Sequence, residues 1–332
     1  MNLDFSNINV LLIGDLMLDH YIIGTSVRVS PEAPVPVVLP KNEYSIPGGA
    51  GNVAMNLRGM GANVSCIGCV GNDSWGKKLI SILQKNNIDT QYIEIINSHP
   101  TTLKQRIYSD DRQVARIDTE QDRNWVPSVK VEKLYDHYDI IILSDYNKGV
   151  FFSPWFKSKK NNVILDPKKK IDHIWSNANI VTPNLNELKI ASKLNVDNDK
   201  KVVEACRSLM KEFKNLQYIV AKKSERGITI VGRDSYVKHI SPYEVKSPDV
   251  TGAGDTTSPT LTNGTERSVF PIHQTGMNGL GLSDTTSTGL TTGEFLDAGD
   301  LTIHVRVNDP DFDTSASGED SIAQDTAAAL VG

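Results

Sequence analysis

The sequence predicts an α/β fold in which helices cover both faces of a mostly parallel sheet, giving three layers. Short apolar runs alternate with helical stretches along most of the chain, and this alternation is typical of parallel sheets. The apolar runs end in polar residues or prolines. Because ligands of such sheets bind at the carboxyl ends of the strands, the residues that follow each run are the first candidates for a functional site.

The N-terminal part begins with a buried strand and a proline-rich flap. Residues 8–15, INVLLIGD, suit a parallel strand that is buried on both faces. Residues 16–45 contain four prolines, which favours edge strands or a flap. Two glycines then open a predicted helix over residues 50–59, and residues 62–71 form a second buried strand that another helix follows.

The middle of the chain supplies a hairpin and the remaining strands. Residues 102–118 alternate on either side of a polar tip, which predicts a β-hairpin. A helix is predicted over residues 197–213. Four further apolar runs are predicted as short strands: residues 138–146, 162–168, 178–184 and 218–223.

Charge divides the chain near residue 256. The 332 residues carry a formal net charge of −5, yet residues 257–332 hold eleven acidic and two basic residues, a net of −9. The preceding part is therefore at +4. We predict a folded domain over residues 1–256 and an acidic segment over 257–332, rich in Thr, Ser and Gly and formed of β strand or coil.

Composition excludes several classes of protein. No run approaches 18 apolar residues, so a transmembrane helix is not expected. The acidic balance argues against a nucleic-acid binder. The first twenty residues lack the pattern of a signal peptide, which makes the cytoplasm the expected compartment. Cys66 and Cys69 form a lone C-x-x-C in a predicted strand and are expected to be core thiols rather than zinc ligands.

The strongest chemical signal is DVTGAGDT, residues 249–256. Gly252, Ala253 and Gly254 can expose backbone N–H groups to an anion, because small residues let a phosphate approach the main chain. Asp255 beside this anion hole is placed to accept a proton from a hydroxyl that attacks a γ-phosphate. The alternative is an ordinary glycine-rich turn.

Two N-terminal motifs indicate a substrate site. In SIPGGAGNVAMNL, Gly48 and Gly49 allow close approach, and Asn52 in the first helical turn is suited to a sugar hydroxyl. In GDLMLDHY, Asp19 lies past the end of the first strand, where a substrate would sit. The alternatives are a tight strand-to-helix turn for the first motif and a turn or cap aspartate for the second.

A third candidate site lies in VTPNLNEL, residues 181–188. Asn184 and Glu187 are three residues apart and share a helix face. A carboxylate and an amide near a phosphate suit Mg²⁺ that is bound indirectly, through water. The alternative is a helix cap with an N-terminal glutamate.

In their order and spacing these motifs resemble the ribokinase (PfkB) family of sugar kinases, and within it the kinases of D-glycero-D-manno-heptose 7-phosphate. The resemblance covers about residues 8–256 and implies a ribokinase-like fold with a small β lid from about residues 16–45 and 100–118. Six segments carry it: RVSPEAPVPVV, IPGGAGNVAMNL, LSDYNKGV, LDPK, TPNLNEL and DVTGAGDT.

The resemblance implies ATP-dependent phosphorylation of heptose 7-phosphate at its anomeric hydroxyl, a step toward ADP-heptose and the lipopolysaccharide core. It implies that Asp255 is the general base and that Gly252–Gly254 bind the transferred phosphate. Asn184 and Glu187 would organise Mg²⁺ and the phosphates. The residues implied to hold the sugar are Asp19, Gly48, Gly49 and Asn52.

Further contacts follow from the same resemblance. Lys104 and Arg106 lie on the lid hairpin and are candidates for the 7-phosphate, since a dianion needs cations; a solvated strand face is the alternative. The lid is also expected to pair two subunits into a homodimer. AKKSERG matches a nucleotide-side loop, so the candidate nucleotide contacts are Lys222, Ser224, Glu225, Gly227 and Thr251.

The chain departs from the family pattern in two respects. It has no H-x-G-H motif, so nucleotidyl transfer is not expected. After Thr256 the family continues with an apolar helix, whereas Ser258-Pro259 opposes a helix here. Two alternatives therefore stay open: another sugar or nucleoside kinase of the family, or an impaired chimera whose C-terminal segment is a surface or binding module.

Overall fold

The computed structural model of the protein describes residues 5–109, 112–121, 124–158, 160, 162–168 and 173–242. In these ranges the chain forms a nine-stranded, mostly parallel sheet with helices on both faces, and a separate four-stranded sheet. The predicted α/β architecture with a small β sheet is confirmed. The acidic segment 257–332 and its predicted boundary lie outside the described residues.

The regular elements follow the predicted alternation. The strands are β1 (Asn9–Gly14), β2 (Leu16–Val29), β3 (Pro36–Gly49), β4 (Asn63–Gly71), β5 (Asp89–Ile96), β6 (Thr102–Ser109), β7 (Arg112–Thr119), β8 (Ile140–Ser144), β9 (Val163–Asp166), β10 (Ile180–Val181), β11 (Tyr218–Lys222), β12 (Ile228–Gly232) and β13 (Val237–Ile240). The α-helices are α1 (Ala50–Gly59), α2 (Ser74–Lys85), α3 (Leu185–Ser192) and α4 (Asp199–Glu212).

The large sheet has the spatial order β13-β12-β11-β10-β9-β8-β1-β4-β5. From β11 to β5 every neighbouring pair is parallel, while β12 and β13 add antiparallel pairs at one edge. The edge strands β5 and β13, and β12 next to β13, were not predicted. β5 reads DTQYIEII, whose polar residues weaken the apolar run on which the prediction of strands relied.

Strand β1 shows why the sheet is buried on both faces. Val10 and Leu12 pack in one core cluster with residues of α1 and α2, whereas Leu11 and Ile13 pack in the other with residues of α3 and α4. Alternate side chains of a strand point to opposite faces, so an unbroken apolar run is required here. Removal of a fully buried side chain, as in Leu11→Ala, would cost about 2–5 kcal/mol of stability.

The four-stranded sheet has the order β3-β2-β6-β7 and grows directly out of β1, because Asp15 alone separates β1 from β2. The pair β2–β6 is parallel and the outer pairs are antiparallel. Every residue of β7 is exposed to solvent. This sheet corresponds to the lid that the sequence predicts, and we call it the lid below.

The cysteines of the chain lie in the core, as predicted for Cys66 and Cys69. The three cysteines, including Cys66 and Cys69, are buried and free, and burial raises the pKa of the Cys66 thiol to about 12. Such thiols are inert at neutral pH.

In the described ranges, no helix is long and apolar enough to cross a membrane.

Candidate active site

Polar side chains gather in two clusters, one on the lid and one at the carboxyl edge of the large sheet. The lid cluster lies on the lid strands and consists of Asp19, Lys104, Arg106, Arg116 and Asp118. The sheet-edge cluster lies where β9, β10 and β11 end and consists of Asp166, Thr182, Asn184, Glu187 and Lys222.

A buried ion pair forms the centre of the lid cluster. Arg106 Nη1 donates to Asp19 Oδ1 at 2.6 Å, and the guanidinium lies over the ring of Tyr21, 5.3 Å from its centroid. The parallel pairing of β2 with β6 sets Arg106 beside Tyr21 and Lys104 beside Asp19. Burial acts to lower the pKa of Arg106, but Asp19 and Tyr21 outweigh burial and hold that pKa above its usual value.

Two further cations flank this pair. Arg116 on β7 stands directly opposite Arg106, and it donates from Nε and Nη2 to the two oxygens of Asp118, each at 3.1 Å. The pKa of Lys104 is lowered, by burial first and by the two arginines, against the opposing effect of Asp19 and Asp118. Like charges opposite each other destabilise a strand pair. The lid cluster therefore favours an anion as its ligand.

The glycine motif makes room for the Asp19 carboxylate. A Cβ atom at Gly48 would lie 2.3 Å from Asp19 Oδ2, so a larger residue would displace that carboxylate. Gly49, at φ 55°, turns the chain from β3 into α1 in a conformation that only glycine adopts readily. Asn52 is buried in the first turn of α1. The structure thus brings Gly48 and Asp19 into contact and places Gly49 and Asn52 at the adjoining start of α1.

The sheet-edge cluster is built around a second buried ion pair. Lys222 Nζ donates to Asp166 Oδ1 at 2.8 Å, and Thr182 Oγ1 donates to the same oxygen at 2.6 Å. Asp166, Thr182 and Lys222 are all buried. Their strands end side by side in the parallel sheet, which is why residues far apart in sequence meet here.

Asn184 and Glu187 form a capping box at the start of α3. Asn184 Oδ1 accepts the backbone N–H of Glu187 at 2.7 Å, and Glu187 Oε2 accepts that of Asn184 at 2.8 Å. The helix-cap interpretation is thus realised in the structure. Burial raises the pKa of Glu187 to about 7; Lys222 opposes this shift, Asp166 adds to it, and the cap N–H and Lys168 oppose it with smaller effects.

The donor set of the sheet-edge cluster fits a hard cation held through water. It offers two buried carboxylates and an amide oxygen, and oxygen donors are those that Mg²⁺ takes. Within the described ranges no three His, Cys, Asp or Glu side chains converge as direct metal ligands. Asn184 and Glu187 are the residues here that would hold the water shell of Mg²⁺.

The loop after β11 is fixed against its surroundings. Lys223 Nζ, which is buried, donates to Asp199 Oδ1 at 2.8 Å at the start of α4. Gly227 has φ 75°, and a Cβ atom there would lie 2.1 Å from the carbonyl oxygen of Ile240. Ser224 and Glu225 are half-buried at the turn of the loop. Of the predicted nucleotide contacts, Lys222 is therefore in the ion pair with Asp166, and Ser224, Glu225 and Gly227 lie in the loop next to it.

Sequence reasoning missed three charged residues of this edge. Asp15 and Asp166 directly follow or end apolar strands, so the rule that favours residues at strand ends would have found both. Arg116 would have required the register of the hairpin, which places it opposite Arg106. The predicted nucleotide contact Thr251, the anion-hole residues Gly252–Gly254 and the base Asp255 lie outside the described residues.

The family profile described as "pfkB family carbohydrate kinase" matches residues 7–268 of this chain. The match covers most of the chain, and the chain therefore belongs to the PfkB family of carbohydrate kinases.

Its similarity to individual proteins is consistent with this family. The bifunctional protein HldE of Campylobacter fetus is 37% identical over 266 residues, which cover 76% of this chain and 57% of the relative. That of Aliarcobacter butzleri is 38% identical over 261 residues, covering 75% and 54%. The chain thus spans about half the length of the curated relatives it matches.

Solved structures show the same fold at low sequence identity. The ribokinase of Arabidopsis thaliana, complexed with ribose and ATP, is similar with a TM-score of 0.58 and 18% identity. The match covers 74% of this chain and 82% of that one. The ribokinase-like fold that the sequence predicts is thereby confirmed.

Proposed function

We propose that the chain transfers the γ-phosphoryl group of ATP to the anomeric hydroxyl of a phosphorylated sugar, D-glycero-D-manno-heptose 7-phosphate, and yields the 1,7-bisphosphate. The observation that carries the proposal is the lid cluster, in which three cations face two carboxylates. A neutral sugar offers no charge to balance the excess cation, whereas a phosphate does. The similarity to HldE proteins supports the same choice of substrate.

The sugar is proposed to lie between the lid and α1. Asp19, held by Arg106 at 2.6 Å, presents a fixed carboxylate to sugar hydroxyls. Gly48 and Gly49 are proposed to line the sugar site, where Gly48 leaves room for the Asp19 carboxylate, and Asn52 supplies an amide at the start of α1. Lys104, Arg106 and Arg116 bind the 7-phosphate on the lid side. With the 7-phosphate on the lid side, the anomeric end of the sugar is directed toward the large sheet.

The nucleotide is proposed to bind at the other end of the sheet edge. Lys222, Ser224, Glu225 and Gly227 lie at the end of β11 and in the loop after it, beside the sheet-edge cluster. When bound, Mg²⁺ would neutralise charge on the phosphates of ATP. Asn184 and Glu187 would hold its waters. Thr251 is proposed as a further contact to the nucleotide.

The chemical step is assigned to the motif at residues 249–256 from its sequence. Asp255 would remove the proton of the anomeric hydroxyl, whose oxygen then attacks the γ-phosphorus while ADP leaves. Backbone N–H groups of Gly252, Ala253 and Gly254 would stabilise the transferred phosphoryl group. A general base contributes about 10²–10⁴-fold to the rate.

Two further assignments accompany the reaction. We propose that the lid pairs two subunits, because it exposes large apolar side chains that a partner lid would cover: Val27, Val29, Val35, Leu39 and Ile117. Sedimentation equilibrium at micromolar concentration should then give twice the monomer mass. The cytoplasm, and the place of the reaction before ADP-heptose, stay predictions of the sequence.

The direct test compares the wild-type chain with Asp255→Asn, using ATP, Mg²⁺ and heptose 7-phosphate and observing the product by ³¹P NMR. The wild type should form the 1,7-bisphosphate, and the variant should be slower by about 10²–10⁴-fold because it lacks the base. A wild type as slow as the variant would refute the proposed activity. Turnover of neutral sugars or nucleosides in preference would favour another kinase of the family.

A further inference from the structure

Asp15 is a buried carboxylate at the junction of the large sheet and the lid, and the proposed reaction assigns it no role. It is 2% exposed. Its Oδ2 accepts the backbone N–H groups of Tyr146 at 2.8 Å and Lys148 at 3.0 Å, and its Oδ1 accepts that of Val150 at 3.1 Å. One side chain thus binds three backbone N–H groups of residues 145–150, a segment that we call the anchored loop.

The anchored loop requires this support because of its backbone. Asn147 has φ 56° and Gly149 has φ 113°, so the chain turns sharply within a few residues. Left-handed conformations at residues other than glycine persist only where the surroundings enforce them. An ionised carboxylate offers acceptors on both oxygens, whereas an amide would turn a donor toward one of the three N–H groups. The site therefore selects aspartate over asparagine.

The anchored loop connects the body of the protein to the free edge of the lid. Lys148 Nζ lies 2.6 Å from Oε2 of Glu120, the residue that follows β7. The hydrogen bond from Lys148 lowers the pKa of Glu120, and the nearby charges of Lys104 and Arg116 lower it further. Lys148 therefore reaches the lid beside the cations of the lid cluster.

The backbone of Asp15 adds a second connection. Its carbonyl oxygen accepts the N–H of Ala50 at 3.0 Å, which fixes the first residue of α1 and, with it, the start of the helix that carries Asn52. Its own N–H donates to the carbonyl of Ser144 at the end of β8, at 3.2 Å. A single residue thus joins the anchored loop to the lid and to α1, the two parts between which the sugar phosphate is proposed to lie.

We infer that Asp15 is a positioning residue for the sugar-phosphate site: through the anchored loop and the contact of Lys148 with Glu120, it sets the lid cluster relative to α1. This inference rests on the proposed function. It assigns Asp15 no contact with the substrate. Loss of the anchor should therefore weaken binding of the phosphorylated sugar and leave the nucleotide side unaffected.

The test is Asp15→Asn, assayed by steady-state kinetics with each substrate varied in turn. The KM for heptose 7-phosphate should rise about tenfold, as expected for the loss of one or two hydrogen bonds to a charged group, while the KM for ATP stays unchanged and kcat falls by less than about threefold. A KM for ATP that rises equally would show a general loss of structure and overturn the inference.

Glu94→Gln is the matched control. Glu94, on the edge strand β5, also accepts three hydrogen bonds: from Trp125 Nε1 at 2.8 Å, and from the N–H and the hydroxyl of Ser128, each at 2.6 Å. This variant should lose stability, as Asp15→Asn does, without a change in the KM for the sugar phosphate. An equal rise of that KM in the control would contradict a specific role for Asp15.

Lys148→Met tests the connection itself. It should raise the KM for heptose 7-phosphate in the same direction, and the double variant Asp15→Asn/Lys148→Met should be no worse than Asp15→Asn alone, since both act through the anchored loop. Fully additive effects would overturn the proposed route. Hydrogen exchange gives a readout without turnover: the amides of residues 146–150 should exchange faster in Asp15→Asn.

These outcomes separate the inference from the proposed function. A wild type that exchanges slowly in the anchored loop but does not phosphorylate heptose 7-phosphate would refute the proposed function, and the positioning of a sugar phosphate with it. A wild type that is active, with a variant whose KM for the sugar phosphate is unchanged, would refute the inference alone. Unchanged hydrogen exchange of the amides of residues 146–150 in Asp15→Asn would show that Asp15 does not hold the anchored loop, and would refute the inference.

Discussion

Within the described ranges, two ion pairs have both partners buried, and they are alike in geometry but differ in their surroundings. Arg106–Asp19 in the lid cluster and Lys222–Asp166 in the sheet-edge cluster have separations of 2.6 and 2.8 Å, and all four side chains are only 10–13% exposed. Around the first pair stand the additional cations Lys104 and Arg116.

Around the second pair the neighbours are the carboxyl group of Glu187 and the cation Lys168. Glu187 adds a carboxylate next to Asp166, and its pKa is raised to about 7, by burial first and then by that neighbour. The difference teaches that neighbours, rather than the ion pair, determine which ligand each region suits. We propose accordingly that the lid cluster binds the sugar phosphate and that the sheet-edge cluster holds the waters of Mg²⁺ when Glu187 is deprotonated.

The largest effect on stability is expected when the Lys222–Asp166 ion pair of the sheet-edge cluster is broken. Lys222→Met leaves Asp166 buried without its partner, which should lower the free energy of unfolding by about 3–5 kcal/mol in urea titrations. The double variant Asp166→Asn/Lys222→Met should recover most of this loss. Lys201→Met, which breaks the exposed pair with Asp197, should cost less than about 1 kcal/mol. A loss as small as that of this control would contradict the structural role of the pair.

The equivalent change in the lid should affect catalysis more than stability. In Arg106→Met, Lys104 still faces Asp19, so the free energy of unfolding should fall by less than in Lys222→Met. The kcat/KM for heptose 7-phosphate should drop about 100-fold, since charge-assisted contacts to a phosphate are lost. Lys201→Met again serves as the control and should leave kcat/KM unchanged.

A smaller effect concerns pH and Glu187. Because the folded protein holds a proton on Glu187 that the unfolded chain releases above its pKa of 4.5, stability should fall as pH rises from 4.5 to 7. Between pH 5 and 7 this contributes about 2 kcal/mol. Glu187→Gln keeps a capping-box side chain and should flatten this slope. If Glu187→Gln showed the same dependence of stability on pH as the wild type, a group other than Glu187 would cause that dependence.

The sequence predicted the parts of the fold that depend on local pattern. The apolar run over residues 8–15 predicted β1, and the glycine motif at Gly48 and Gly49 predicted the end of β3 and the start of α1. Both patterns are local properties of the sequence. The edge strands β5 and β13 escaped because polar residues interrupt their apolar runs.

The candidate site was less accessible to sequence reasoning wherever it depends on register. Asp19, Gly48 and Arg106 were predicted separately, but their contact arises from the pairing of β2 with both β3 and β6. The role of Asp15 depends on a loop more than 130 residues away in sequence. Such contacts require the folded chain, since no local pattern encodes which strand ends meet.

The central claim is that the lid cluster recognises a phosphate on the sugar. The most direct measurement is the ratio of kcat/KM for heptose 7-phosphate to that for the unphosphorylated heptose, with the wild-type chain at saturating ATP and Mg²⁺. The account predicts a ratio of about 100 or more, and a collapse of this ratio toward one in Arg106→Met/Arg116→Met. A wild-type ratio near one, or a preference for the neutral sugar, would contradict it.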